Sequence, residues 1–164
     1  FVRREVISSA VIIHEIKRAL ELYGIEGVTF LGGEPTHQAN GLGEIAEACQ
    51  SLGLSVMLFT GFQLRQLRLR NIPGVKRLLR HTDVVVDGPF VVGKRESRRN
   101  WVGSENQTFH YLTQRYDPSI ETASDCRPAV EVRIELSNRI SVNGFPFPGG
   151  LLPHSVLESP VGSG

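Results

Sequence analysis

The sequence predicts an α/β fold with a mostly parallel sheet. Three observations carry this: short apolar, β-branched runs recur along the chain, amphipathic helical stretches alternate with them, and glycines close several of those stretches. From Ser8 to Tyr23, Val11, Ile12, Ile16, Ala19, Leu20 and Tyr23 recur at helical spacing, with Ser8 or Ser9 as N-cap and Gly24 as stop. Val28 to Leu31, VTFL, reads as a strand buried on both faces. A helix follows from Leu42 to Ser51, with Ile45, Ala46 and Cys49 on one side and Gly53 beyond its end. Leu54 to Thr60, LSVMLFT, is the second strand, Phe62 to Leu69 a helical stretch, and Pro73 to Leu79 a short turn. Asp83 to Asp87, DVVVD, is the third strand.

The alternation stops at Asp87. Gly88 to Gln107 holds Gly, Pro, a basic run and the lone Trp101 without sustained periodicity, and reads as a long functional or partly mobile loop. Ala129 to Leu136 and Ile140 to Val142 are β-rich around Ser137-Asn138-Arg139, which predicts a C-terminal β-hairpin. The Pro- and Gly-rich stretch 148–164 predicts a poorly ordered tail. With no internal repeat and no long linker, residues 1–164 read as a single domain.

Composition narrows the function classes. The 164 residues are 40% hydrophobic and 21% charged, the balance of a globular domain with a sizeable core. A net charge of +1 gives no global attraction to nucleic acid or to an anionic membrane. Two distant cysteines, Cys49 and Cys126, fit neither a disulfide scaffold nor a self-contained metal site. A reducing, cytoplasmic setting is therefore expected. No apolar run has the length of a membrane span. Residue 1 is Phe and the only methionine is Met57, so further sequence is expected upstream of Phe1.

The sharpest local signal is Gly32-Gly33-Glu34-Pro35, directly after the strand 28–31. Ligands of α/β proteins bind where the backbone leaves the carboxyl ends of parallel strands, and two glycines let that backbone come close. An acidic side chain beside them can accept hydrogen bonds from an ammonium group, and Pro35 stiffens the exit. The competing reading is a plain strand-to-helix turn. It is not a phosphate loop, since neither GxxxxGK[ST] nor GxGxxG occurs.

VTFLGGEP with a following helix, then LSVMLFTG, DVVVDGPF and WVGSENQ, in that order between about Val11 and Phe145, resembles the radical S-adenosylmethionine superfamily. Within it, the chain is most similar to the activating proteins of glycyl radical enzymes, of the type serving anaerobic ribonucleotide reductase. The resemblance implies a partial radical-SAM-type βα barrel, and it implies two cofactors, S-adenosylmethionine and a 4Fe-4S cluster. It further implies a glycyl radical enzyme as protein substrate and a separate electron donor. In the family the reduced cluster cleaves S-adenosylmethionine, and the resulting 5′-deoxyadenosyl radical takes hydrogen from a glycine of the partner. Carried over by position, Gly32, Gly33 and Glu34, with Pro35 behind them, meet the amino end of S-adenosylmethionine. Thr60 and Gly61 lie near its ribose and methionine parts, and Asp87 stands at the next strand end. Gly103, Ser104, Asn106 and Gln107 form a recurring segment with no chemical role attached, and Val102 stands where relatives often carry arginine.

The family holds its cluster through a CxxxCxxC loop, because thiolates are the ligands such clusters need. This chain has no such motif, so no metal-ligating or catalytic residue is assigned. In relatives the cysteine loop and a preceding strand come before the first helix here, and that strand pairs beside 28–31. The resemblance thus leaves 28–31 at an edge of the sheet. Cys49 reads as a packed small hydrophobe and Cys126 as a free thiol.

His14, His37, His81, His110 and His154 fall in no ligand spacing. Lys94, Arg95, Arg98 and Arg99 with Trp101, extended by Arg65, Arg68 and Arg70, could grip phosphates and stack a base. The alternatives are a solvated loop or a protein-docking surface. Two functions follow: the body of a radical activating enzyme, inactive without its cluster loop, or a non-catalytic module that binds S-adenosylmethionine or a partner protein.

Overall fold

The computed structural model describes residues 6–123 in full, and the backbone of residues 131–134 and 140–143. The chain divides into two compact units, Phe1–Thr122 and Ala123–Gly164.

The first unit begins with α1, Ser9–Tyr23. Ser8 caps it by accepting the Val11 N–H on its hydroxyl, and Gly24, at φ 60°, ends it in the left-handed region that favours glycine. The helix is amphipathic as expected, but the covered stripe is narrower and only partly buried. Ile12, Ile13, Ile16 and Leu20 pack against the core, whereas Val11 and Tyr23 are exposed, Tyr23 at 78%.

Strand β1, Gly27–Phe30, lies at the edge of a four-stranded sheet of order β1-β2-β3-β4. It pairs in parallel with β2, Ser55–Thr60, and β2 in parallel with β3, Val84–Asp87. The fourth strand, β4, Thr108–Tyr111, runs antiparallel to β3 and falls in a segment the sequence reading left without a strand. The sheet is mixed, mostly parallel and not closed, so the expected α/β class with a mostly parallel sheet stands, and the expected partial barrel is not confirmed. Helix α2, Ala39–Ser51, joins β1 to β2 and starts three residues earlier than its apolar pattern shows. Between β2 and β3 lie α3, Leu64–Leu69, and α4, Val75–Arg80. The second of these replaces the expected turn at 73–79: Gly74, at φ 84°, ends the loop and Val75 and Leu78 are buried.

Period-two alternation sorts the strands into two faces. Val56, Leu58 and Val85 join Ile45, Ala46, Cys49, Leu67 and Leu78 in the larger core, with Val28 and Phe30 packed against it. Fully burying each such aliphatic side chain is worth roughly 1.5–3 kcal/mol. On the opposite face Val84, Val86 and Phe109 form a smaller cluster, flanked by Met57, Phe59, Val102, Tyr116 and Ile120. Of β1 to β4, β3 alone is buried along its whole length. Strand β1 is half-buried, with Thr29 exposed, and Leu31 beyond it is 61% exposed, because among the described residues β1 has a neighbour on one side only. This corrects the expectation of a strand buried on both faces.

In the second unit β5, Glu131–Ile134, pairs antiparallel with β6, Ile140–Asn143. These are the two arms of the expected hairpin; its turn, Cys126, His154 and the 148–164 tail lie outside the described residues.

Candidate functional site

The carboxyl ends of β1, β2 and β3 carry Gly32 to Pro35, Thr60 with Gly61, and Asp87. After Phe30 the chain turns through Gly32, at φ 88°, and Gly33, at φ 31°. Both lie in the left-handed region, which a residue with a Cβ enters only at a cost. A Cβ built on either would meet nothing within 4 Å, so open space adjoins the main chain of both.

Glu34 closes this turn and caps the single-turn helix Pro35–Gln38, whose first position is held by Pro35. Its Oε1 accepts from Thr36 N at 3.1 Å, Thr36 Oγ1 at 2.6 Å and Thr60 Oγ1 at 2.9 Å. Its Oε2 accepts from Gly61 N at 2.9 Å. Burial acts to raise the Glu34 carboxyl, but the hydrogen bonds from Thr36, Gly61 and Thr60 together outweigh it and hold the group below the ordinary carboxylate range. Glu34 is therefore an anion tied into the fold. Thr36, buried completely, was missed in the sequence; the pattern Glu-Pro-Thr, an acceptor with proline and a donor after it, was the available signal.

Asp87, only 6% exposed, accepts from Leu64 N on Oδ2 at 2.6 Å and so holds the start of α3. His110 of β4 brings Nε2 to 2.9 Å from the same oxygen, a close contact that is not an aligned hydrogen bond. This contact was illegible in the sequence, since it depends on β4 lying beside β3.

The segment Gly103 to Gln107 acquires a role in holding the loop after β3. Gln107 Oε1 accepts from Gly103 N at 2.8 Å and Ser104 N at 3.1 Å, while its amide donates to Gly88 O at 3.3 Å. Asn106 donates to Pro89 O at 2.7 Å, and Ser104 Oγ accepts from Val91 N at 3.2 Å. Val102 belongs to the smaller apolar cluster, which accounts for an aliphatic residue there. The basic run is not one uniform patch. Arg99 turns inward to Glu96, to Gln107 O and to Glu105 O, whereas Lys94, Arg95 and Arg98 are exposed. Trp101 is half-exposed at φ 69°.

A cavity of about 230 Å³ adjoins the turn, lined by residues 29–35 with Gln38 and Leu42. Its exposed glycine main chain fits the amino-acid end of a small ligand such as S-adenosylmethionine. The described residues do not fit an iron–sulfur cluster: among them no three His, Cys, Asp or Glu side chains are grouped to hold a metal. Cys49 is buried, and burial pushes its thiol up to about 11, which opposes the thiolate form a metal needs. Among the described residues no helix is long and apolar enough to cross a membrane.

Comparison with known proteins decides the lineage. Residues 3–110 match the family described as 4Fe-4S single cluster domain. The chain belongs to that family. The anaerobic ribonucleoside-triphosphate reductase-activating protein of Escherichia coli (strain K12) is 29% identical over 92 residues, covering 53% of this chain and 56% of the relative. The protein of the same description from Salmonella typhi gives the same identity and coverage. The chain thus spans about half the length of the curated relatives it matches. No solved structure matches. The resemblance to radical S-adenosylmethionine activating proteins, read from the motifs, stands on the family and these relatives together.

Proposed function

We propose that this chain is the S-adenosylmethionine-side body of a protein that activates a glycyl radical enzyme of the anaerobic ribonucleotide reductase type. The observation that carries the reading is the turn 31–34. Two adjacent left-handed glycines open at the carboxyl end of β1, in a chain of the 4Fe-4S single cluster domain family. In this reading bound S-adenosylmethionine, given one electron, would release methionine and supply the 5′-deoxyadenosyl radical that takes a hydrogen atom from the partner's glycine. The main chain of Gly32 and Gly33 receives the ligand's amino end, with Glu34 and Pro35 beside it and Gly61 and the buried Thr60 and Asp87 behind them. The activated enzyme is the protein substrate, a separate donor supplies the electron, and the setting is cytoplasmic.

Anaerobic calorimetric titration tests both halves. Saturable binding of S-adenosylmethionine, lost in Gly32→Val, is expected, together with a complex with the glycyl-radical chain of an anaerobic ribonucleotide reductase. No heat of binding at millimolar S-adenosylmethionine overturns the ligand half. Ligand binding without any complex favours the non-catalytic binding module instead.

A further inference from the structure

Two carboxylates from opposite sides converge on one short turn. Strand β2 lies between β1 and β3 in the sheet, and the turn that follows it, residues 60–64, is reached from β1 by Glu34 and from β3 by Asp87. Glu34 takes Thr60 Oγ1 and Gly61 N; Asp87 takes Leu64 N. Thr60 Oγ1 in turn accepts from Phe62 N at 3.2 Å, so the turn is anchored at both ends and in its middle.

We propose that Glu34 and Asp87 are positioning residues that brace the turn 60–64 from its two flanks, and that neither carboxylate is the group that receives a ligand. Three donors already converge on Glu34 Oε1, which fills that oxygen, and Oε2 is turned to the Gly61 N–H. Asp87 is buried, with Leu64 N and His110 Nε2 both at Oδ2. A ligand at the strand ends meets main chain, held in place by these carboxylates. A turn held by charge-assisted hydrogen bonds needs no reordering when a ligand arrives, which removes part of the entropic cost of binding. The effect on ligand affinity rests on the function proposed above; the brace itself does not.

The test combines amide exchange without ligand and calorimetry with S-adenosylmethionine, on wild type, Glu34→Gln, Thr60→Val, Asp87→Ala and Asp87→Asn. Glu34→Gln keeps an oxygen for the threonines but sets an NH₂ against the Gly61 N–H. Gly61 is expected to lose protection in Glu34→Gln and Leu64 in Asp87→Ala, with Asp87→Asn restoring it, while β3 amides remain protected and show that each variant is folded. Affinity is expected to fall about tenfold in Glu34→Gln and by a similar factor in Thr60→Val, the scale of one lost hydrogen bond, because both loosen the same turn. A direct contact predicts otherwise: Thr60→Val leaves the carboxylate in place and binds as wild type. That result, or Gly61 exchanging as fast in wild type as in Glu34→Gln, overturns the brace. Absence of binding by wild type would count against the proposed function alone, and the exchange result would still decide the brace.

Discussion

Glu34 Oε2 accepts the N–H of Gly61 at 2.9 Å across 27 positions of sequence, tying the end of β1 to the end of β2. Glu34→Ala removes this bond and the three at Oε1 together, leaving the buried Thr36 and Thr60 donors to find other partners. A loss of about 2 kcal/mol of unfolding free energy is expected, read as a lower denaturant midpoint with an unchanged slope. Little change in the midpoint would mean that water replaces the carboxylate without cost.

Two glycines of similar φ are expected to respond differently to alanine. A Cβ at Gly74 would stand 2.4 Å from Asn40 N and 2.6 Å from Ala39 C, whereas one at Gly32 meets nothing within 4 Å. Gly74→Ala therefore adds a clash with backbone to the left-handed strain and should cost about 3 kcal/mol or more. Gly32→Ala should cost only the strain, about 1–2 kcal/mol. Thermal melts of the two variants side by side check the order.

Glu96 sets an acid limit on the loop 88–107. Its carboxylate is held down to about 2, first by the Arg98 N–H and then by the Arg99 side chain, with Ser97 N and Arg99 N adding to them. A carboxyl depressed on folding contributes stability that is fully present above the ordinary carboxylate range. That contribution is lost as pH falls through this range towards about 2. Glu96→Gln should therefore flatten the acid side of the stability profile and leave the slope near neutral pH unchanged. An identical acid limb in both proteins would remove Glu96 from the account.

Cys49 is expected to resist alkylation in the native chain and to react after unfolding, because its thiol is buried and pushed up to about 11. With two cysteines in 164 residues, anaerobic reconstitution with iron and sulfide is expected to load well under one 4Fe-4S cluster per chain. Four irons per chain with a cluster absorbance band would show that the fold recruits ligands other than thiolates.

Strand β1 should exchange its amides faster than β3. Among the described residues β1 has a neighbour on one side only, while β3 has one on each side and is buried throughout. Exposed edges also recruit other chains, so sedimentation at rising concentration should show self-association that Thr29→Lys weakens. Equal protection of β1 and β3 would mean that another part of the chain covers the edge.

Local pattern alone determined much of this protein. The 3.6 periodicity of 8–23 and its closing Gly24 located α1. The runs VTFL, LSVMLFT and DVVVD located three strands in parallel order, and the glycine pair after the first of them marked the turn at its end. Each of these signals lies within one element, where backbone geometry and side-chain period suffice. The sequence was silent on β4, whose four residues TFHY take their place only because the loop 88–107 folds back beside β3. It marked the apolar face of α1, but not that Val11 and Tyr23 on that face would stay exposed, since the width of the covered stripe depends on where α2 lies. It marked Glu34 as an acid near a ligand turn, and Glu-Pro-Thr held a local signal for Thr36, yet it could not show that Thr60 and Gly61 would also donate to that acid. Those partners lie up to 27 positions away, and only the order of strands in the sheet brings them within hydrogen-bond distance.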